Sequence, residues 1–243
     1  MLRRTILLLA LLTAAAVSAG ADTLLTLQSH ADEVRIAGET QPVKDVQVRI
    51  WVSGDRVRRD EGDTSTILRL DRNKLYVVRH PEKTYSEVPL PIDFLRLLPK
   101  SKQEVGRTWA EQMKLSVQVK PTSETRKING WNARRVQMDI RSAMGMKIDT
   151  TLWVSQEIEG HRSLNKLTSI LAALQPGAAD WSSKLEQIEG FPVLKEDSVD
   201  AAGVRFKTRE ELLSVKSQDA PPGSFEPPAG YTPVPYDPLE GIG

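Results

Sequence analysis

Val46-Gln47-Val48-Arg49-Ile50-Trp51-Val52 sets a branched aliphatic at every second position. Side chains alternate faces along a β-strand, so Val46, Val48, Ile50 and Val52 share one face of one strand. Ser53-Gly54-Asp55 follows as a polar turn, and the pattern repeats downstream. Arg56–Asp60, Ser65–Leu70, Leu75–Arg79 and Thr84–Val88 read as short strands, separated by Glu61-Gly62-Asp63, Asp71-Arg72-Asn73 and His80-Pro81-Glu82-Lys83. Short strands at regular spacing with turn residues between them predict an antiparallel meander. Upstream, Thr23–Ile36 is expected as one long first strand, weakened by the polar stretch Ser29–Glu33.

Downstream the period changes. Pro91–Leu98 predicts a short helix stopped by Pro99, because the residue before a proline is pushed out of the α region. Ser101 and Glu104 have the spacing of a capping box, and Val105, Trp109 and Met113 then fall on one helical face. From Leu115 the period is two again, through Val117 and Val119, then Val136, Met138 and Ile140, then Ile148–Val154. Asn129-Gly130 and Met144-Gly145 are the turns between. Leu164, Leu167, Ile170, Leu171 and Leu174 recur at helical spacing up to Pro176-Gly177, and Ala178, Trp181, Leu185 and Ile188 repeat the stripe. Phe191–Lys195 and Val204–Val215 return to strand. The fold class is therefore mainly β with helices (α+β): a curved antiparallel sheet whose apolar face is covered by two or three amphipathic helices.

The two ends read differently from this body. Residues 1–21 have Arg3 and Arg4 before the uncharged run Ile6–Val17, then Ala19-Gly20-Ala21, the features of a cleaved signal peptide. The apolar run is shorter than the roughly 20 residues a membrane span needs. The expected mature chain starts at Asp22 in the periplasm or outside the cell, and has 31 basic against 32 acidic residues in 222. Residues 22–219 are expected as one domain. Residues 220–243 form a tail that holds 7 of the 15 prolines, too many for a helix or central strand. It should run extended on the surface, with Phe225, Tyr231 and Tyr236 as anchors or as contacts for an envelope protein.

Composition excludes much chemistry. The 243-residue chain has no cysteine, which removes disulfides, thiol nucleophiles, thiolate metal sites and a lipidated N-terminal cysteine. With 33 Lys and Arg against 32 Asp and Glu there is no electrostatic reason to bind nucleic acid. His30, His80 and His161 show no metal-ligand spacing, and no nucleophile motif or phosphate loop is present, so neither enzyme activity nor a cofactor or metal is expected. Asp55–Asp63 (DRVRRDEGD) reads as a solvated hairpin with internal ion pairs. Alternation still sends Arg58 and Arg59 to opposite faces, and an inward one needs a partner.

If the helices pack loosely on the sheet, the gap is an aliphatic cleft suited to acyl chains. Its expected lining is Val46, Val48, Ile50, Val52, Leu68, Val117, Val136, Met138, Ile148, Leu152, Leu167 and Leu171. If they pack tightly, the core is filled and the protein is a non-enzymatic interaction or scaffold module of the envelope. Aromatic residues make up 5% of the chain, which favours aliphatic contacts over stacking on sugars or bases.

Five runs in order resemble a family of exported bacterial domains of unknown function. They are WVSGDRVRRDEGD (51–63), LDRNKLYVVRHPEKTYSEVPL (70–90), INGWNARRVQM (128–138), TTLWVSQEI (150–158) and FEPPAGYTPV (225–234). That family is similar in strand order to the periplasmic lipoprotein carriers LolA and LolB. The resemblance implies a half-open β-barrel around helices that plug its mouth, with a cavity for lipid or lipoprotein acyl chains. It also implies an inward arginine that holds the helical lid, for which Arg58 or Arg59 is the nearest equivalent. The proline-rich tail is not a feature of the carriers, and the absence of cysteine excludes a lipid-anchored acceptor like LolB.

Overall fold

The structure, a computed structural model, describes residues 21–36, 39–177, 179–201 and 203–238. The expected signal peptide up to Gly20 lies outside them, as do Ala178 and the side chain of Trp181. The chain begins with β1 (Thr23–Ala31) and a small separate hairpin of β2 (Val34–Ile36) and β3 (Glu39–Gln41). The expected single strand Thr23–Ile36 is therefore broken, at the polar residues Asp32 and Glu33. A meander follows: β4 (Lys44–Ser53), β5 (Arg56–Glu61), β6 (Thr64–Arg69), β7 (Lys74–Arg79) and β8 (Thr84–Pro89). Each of its four links carries one left-handed residue, Gly54, Gly62, Asn73 or Lys83, the backbone that tight hairpin turns require.

Two helices, α1 (Phe94–Leu97) and α2 (Gln103–Gln112), lead into β9 (Leu115–Ile128), β10 (Trp131–Ser142) and β11 (Lys147–Ser155). Then come α3 (His161–Ala173), α4 (Ala179–Glu186), β12 (Phe191–Ala201), β13 (Val204–Ser217) and the short β14 (Thr232–Pro233). Asp93 caps α1 by accepting from the amides of Leu95 and Arg96. The Ser101–Glu104 capping box does not form, because Lys100–Lys102 make a 3-10 turn and α2 starts behind Lys102 without a side-chain cap. Of the face expected to be apolar on α2, Trp109 and Met113 are half-buried on the same side as the buried Gly106, which packs against Leu98, while Val105 is exposed.

Among the described residues one sheet holds twelve strands in the order β14-β8-β7-β6-β5-β4-β1-β13-β12-β11-β10-β9, antiparallel throughout except that β14 runs parallel to β8. β1 pairs with both β4 and β13 and so joins the two meanders. The sheet is open, and the α1–α2 segment connects its two far sides, β8 and β9. It is also strongly curved. Three strand spacings separate β10 from β13, about 14 Å in a flat sheet, yet Asn129 at the β9–β10 turn donates to the carbonyl of Leu212 on β13 at 2.9 Å. A bulge between Arg134 and Val136 bends this hairpin.

The concave face carries the main core, where Leu25, Leu27, Val48, Ile50, Val57 and Leu212 pack against Leu164, Leu167, Ile170 and Leu174 of α3. A second cluster sets Leu185 and Ile188 against Val117, Val136, Met138 and Leu152 of β9–β11. The convex face has its own cluster, Trp51, Ile67, Tyr76 and Val78, covered by Phe225 and Tyr231 of the C-terminal segment. The proline-rich segment thus docks on the chain's own sheet, with the expected anchors Phe225 and Tyr231 on the convex cluster and Tyr236 packed against the main core.

Gly177 ends the α3 stripe with φ +74°, and a Cβ there would lie 2.7 Å from the Ala110 carbonyl oxygen and 2.8 Å from that of Met113. Gly177→Ala is expected to cost about 2 kcal/mol, since both the left-handed backbone and the contact with α2 are unfavourable for alanine. A thermal melt checks this, and an unchanged midpoint would contradict it.

Candidate ligand cavity

Between the concave face and the α3–α4 pair lies a cavity of about 500 Å³. Ligand pockets typically measure roughly 300–1,000 Å³. Alternation on β4, β10 and β11 aims Ile50, Met138, Ile140, Ile148 and Leu152 at it from the sheet. The helical stripe supplies Leu164, Leu167 and Leu171 from α3, and Leu185 comes from α4.

Of the residues expected to line a cleft, Ile50, Met138, Ile148, Leu152, Leu167 and Leu171 do so. Val48, Val52 and Leu68 are instead packed into the main core, and Val117 and Val136 into the second cluster. Val46 is half-buried near the start of β4. These six share the concave face with the lining residues; the position of the helices decides which parts of that face stay uncovered. Ile140, Leu164, Leu185 and Ile188 also line the cavity and belong to patterns legible in the sequence.

The two arginines part as alternation requires. Arg58 points to the convex side, where it donates to Asp60 at 2.7 Å, to Ser65 at 3.1 Å and to the Ser224 carbonyl at 3.1 Å. Arg59 lines the cavity. Its Nη2 lies 2.7 Å from Glu210 of β13 and 3.0 Å from Glu61. Burial by itself would lower the pKa of this guanidinium, but Glu210 and Glu61 outweigh that and raise it, so Arg59 is a fixed cation. Nearby on β12, Lys195 sits 2.9 Å from Asp197, whose two oxygens also accept from Thr150 at 2.6 Å and Thr208 at 2.9 Å. The cavity therefore has aliphatic walls and one charged end. No sequence signal marked Lys195, Asp197 or Glu210, because only strand order brings β12 and β13 into the same concave face as β5.

The helical cover is pinned from outside. Glu186 of α4 accepts from Lys166 at 2.9 Å and Ser169 at 2.7 Å on α3. Burial raises the pKa of its carboxyl, and these two donors more than reverse the effect, leaving it below the usual range. Asn165 ties the same helix to the carbonyls of Ile188 and Gly190 at 2.7 and 3.0 Å. On the convex side the C-terminal segment is held by Arg69, which is buried and bonds Asp71, the Phe225 carbonyl and Glu226. His80, which the sequence places in a turn, bridges Ser65 at 2.7 Å and the Tyr231 hydroxyl at 3.0 Å.

A structure of PNGF-II is similar over 90% of this chain and 31% of its own, at 13% identity and TM-score 0.45. A domain from Vibrio parahaemolyticus, provisionally described as an outer membrane lipoprotein-sorting protein, aligns over 85% of this chain and 89% of its own, at 8% identity and TM-score 0.29. An uncharacterized protein of Aquifex aeolicus (strain VF5) is 28% identical over 130 residues, and the alignment spans about half of that relative's length. No helix among the described residues is long and apolar enough to cross a membrane. The model of the domain of unknown function DUF4412 matches residues 40–231, from the β3–β4 region to the docked Tyr231, and the chain belongs to that family.

Proposed function

We propose that this protein is a non-enzymatic binding or carrier protein of the bacterial envelope, holding a lipid or acylated ligand between its sheet and α3–α4. The observation that carries the reading is the aliphatic cavity. Its walls are aliphatic side chains from both sheet and helices, and its volume is that of an ordinary ligand pocket, roughly 300–1,000 Å³. Aliphatic walls hold water poorly, so the occupant that matches them is an apolar chain, each buried methylene contributing roughly 0.8 kcal/mol. The charged end fits the polar group of such a ligand. An exported protein, as residues 1–21 lead us to expect, would meet such chains at the membranes of the envelope.

The test uses protein purified without detergent. Native mass spectrometry is expected to show co-purified lipid, or the delipidated protein to take up an uncharged polarity-sensitive dye. Ile148→Trp and Leu171→Trp put bulk into the cavity from half-buried positions, and each should reduce dye uptake at least tenfold while leaving circular dichroism unchanged. Folded protein that carries no lipid and takes up no dye would overturn the proposal.

A further inference from the structure

We infer that the cavity's occupant carries a protonated amine at its polar end, an inference that rests on the carrier reading above and specifies its ligand. Among the described residues the charged end holds Arg59, Lys195, Glu61, Asp197 and Glu210, two cations against three carboxylates. Both cations are already engaged: Arg59 with Glu210 and Glu61, and Lys195 with Asp197. Lys195 is moreover directly opposite Glu210 in the β12–β13 register, so it has a carboxylate on either side. An anionic head, whether carboxylate or phosphate, would have to displace one of these acids from its cation and then lie against the others. An ammonium group meets the surplus negative charge with no pair broken. Side-chain exposures from 10% at Asp197 to 43% at Lys195 place the cluster where the aliphatic walls give way to solvent, the position a polar head occupies when its chain is inside. The surroundings are only partly wet, so the charge difference is felt more strongly than in bulk water.

Three competitors with one chain length separate the head groups: dodecylamine, dodecanol and dodecanoate, each displacing the uncharged dye below its micelle concentration at neutral pH. The amine is expected to compete about tenfold better than the carboxylate, with the alcohol between them. Glu210→Gln removes one surplus charge while Glu61 still holds Arg59, and should shrink the amine-to-carboxylate ratio several-fold, each competitor being read against the variant's own dye affinity. Should that variant fold poorly, salt provides the second reading on the unaltered protein. Raising ionic strength from about 0.01 M to about 1 M, which shortens the screening length from roughly 30 Å to 3 Å, should compress the same ratio. Dye binding with dodecanoate equal to or better than dodecylamine overturns the inference and leaves the carrier reading intact. A ratio unmoved by both the variant and salt also overturns it, because the head would then lie elsewhere. Absence of dye binding overturns the carrier reading and this inference with it.

Discussion

Phe225→Ala is expected to destabilise the protein by about 3 kcal/mol, at the lower end of the range for a buried phenylalanine. The ring is 7% exposed and packs with Trp51, Ile67, Tyr76 and Val78 on the convex face. Arg56 lies 4.9 Å from its centroid, and the Phe225 carbonyl accepts from the buried Arg69. Truncation removes the apolar burial, weakens the cation–π contact and opens the outer cluster to water. Because Glu226 and Tyr231 flank this residue and hold Arg69, Arg72 and His80, the whole segment from Pro221 should loosen. Urea unfolding gives the loss, and limited proteolysis should cut the variant first between Pro221 and Tyr231. The cavity lies on the opposite face of the sheet, so dye uptake should not change. A loss below 1 kcal/mol with an unchanged digestion pattern would show that the segment does not hold the outer face.

Arg59→Met is the second large effect, expected at about 3 kcal/mol near neutral pH. Removing one partner from a half-buried ion cluster leaves the other charges without compensation, which costs more than the pair itself contributes. Here the abandoned groups are Glu210, 26% exposed, and Glu61, 40% exposed, on a face that also carries Asp197. Chemical denaturation near neutral pH gives the deficit, and adding Glu210→Gln to Arg59→Met should recover part of the stability by removing one of the uncompensated charges. A deficit unchanged by the second substitution would mean that Arg59 acts through packing alone.

The elements that were legible in the sequence are those set by neighbours along the chain. The alternation at Val46–Val52 and the turn residues after it mark β4 to β8 because strand period and left-handed turn backbone are local properties. The α3 stripe was legible for the same reason, and so was the opposition of Arg58 and Arg59. Where reading failed, a tertiary contact outweighed the local pattern. Ser101 does not cap α2, because Lys100–Lys102 form a 3-10 turn before it, and Val105 is left exposed where Gly106 packs against Leu98 after α1. Val48 and Ile50 are indistinguishable in sequence and both lie in the main core, yet of the two Ile50 reaches the cavity and Val48 does not.

Local chemistry alone thus determined a β-rich chain with one amphipathic helical cover, an inward and an outward arginine, and a C-terminal stretch unable to join the sheet centrally. Only the folded arrangement decided that β1 lies between β4 and β13, which curls Glu210 toward Arg59 and puts Lys195 and Asp197 beside them. The same arrangement returned the proline-rich segment to the chain's own convex face. The physical reason is range: side-chain period and backbone preference act over a few residues. The charged end of the cavity is assembled from positions 59 to 210, which meet only because strands distant in sequence pair and the sheet bends.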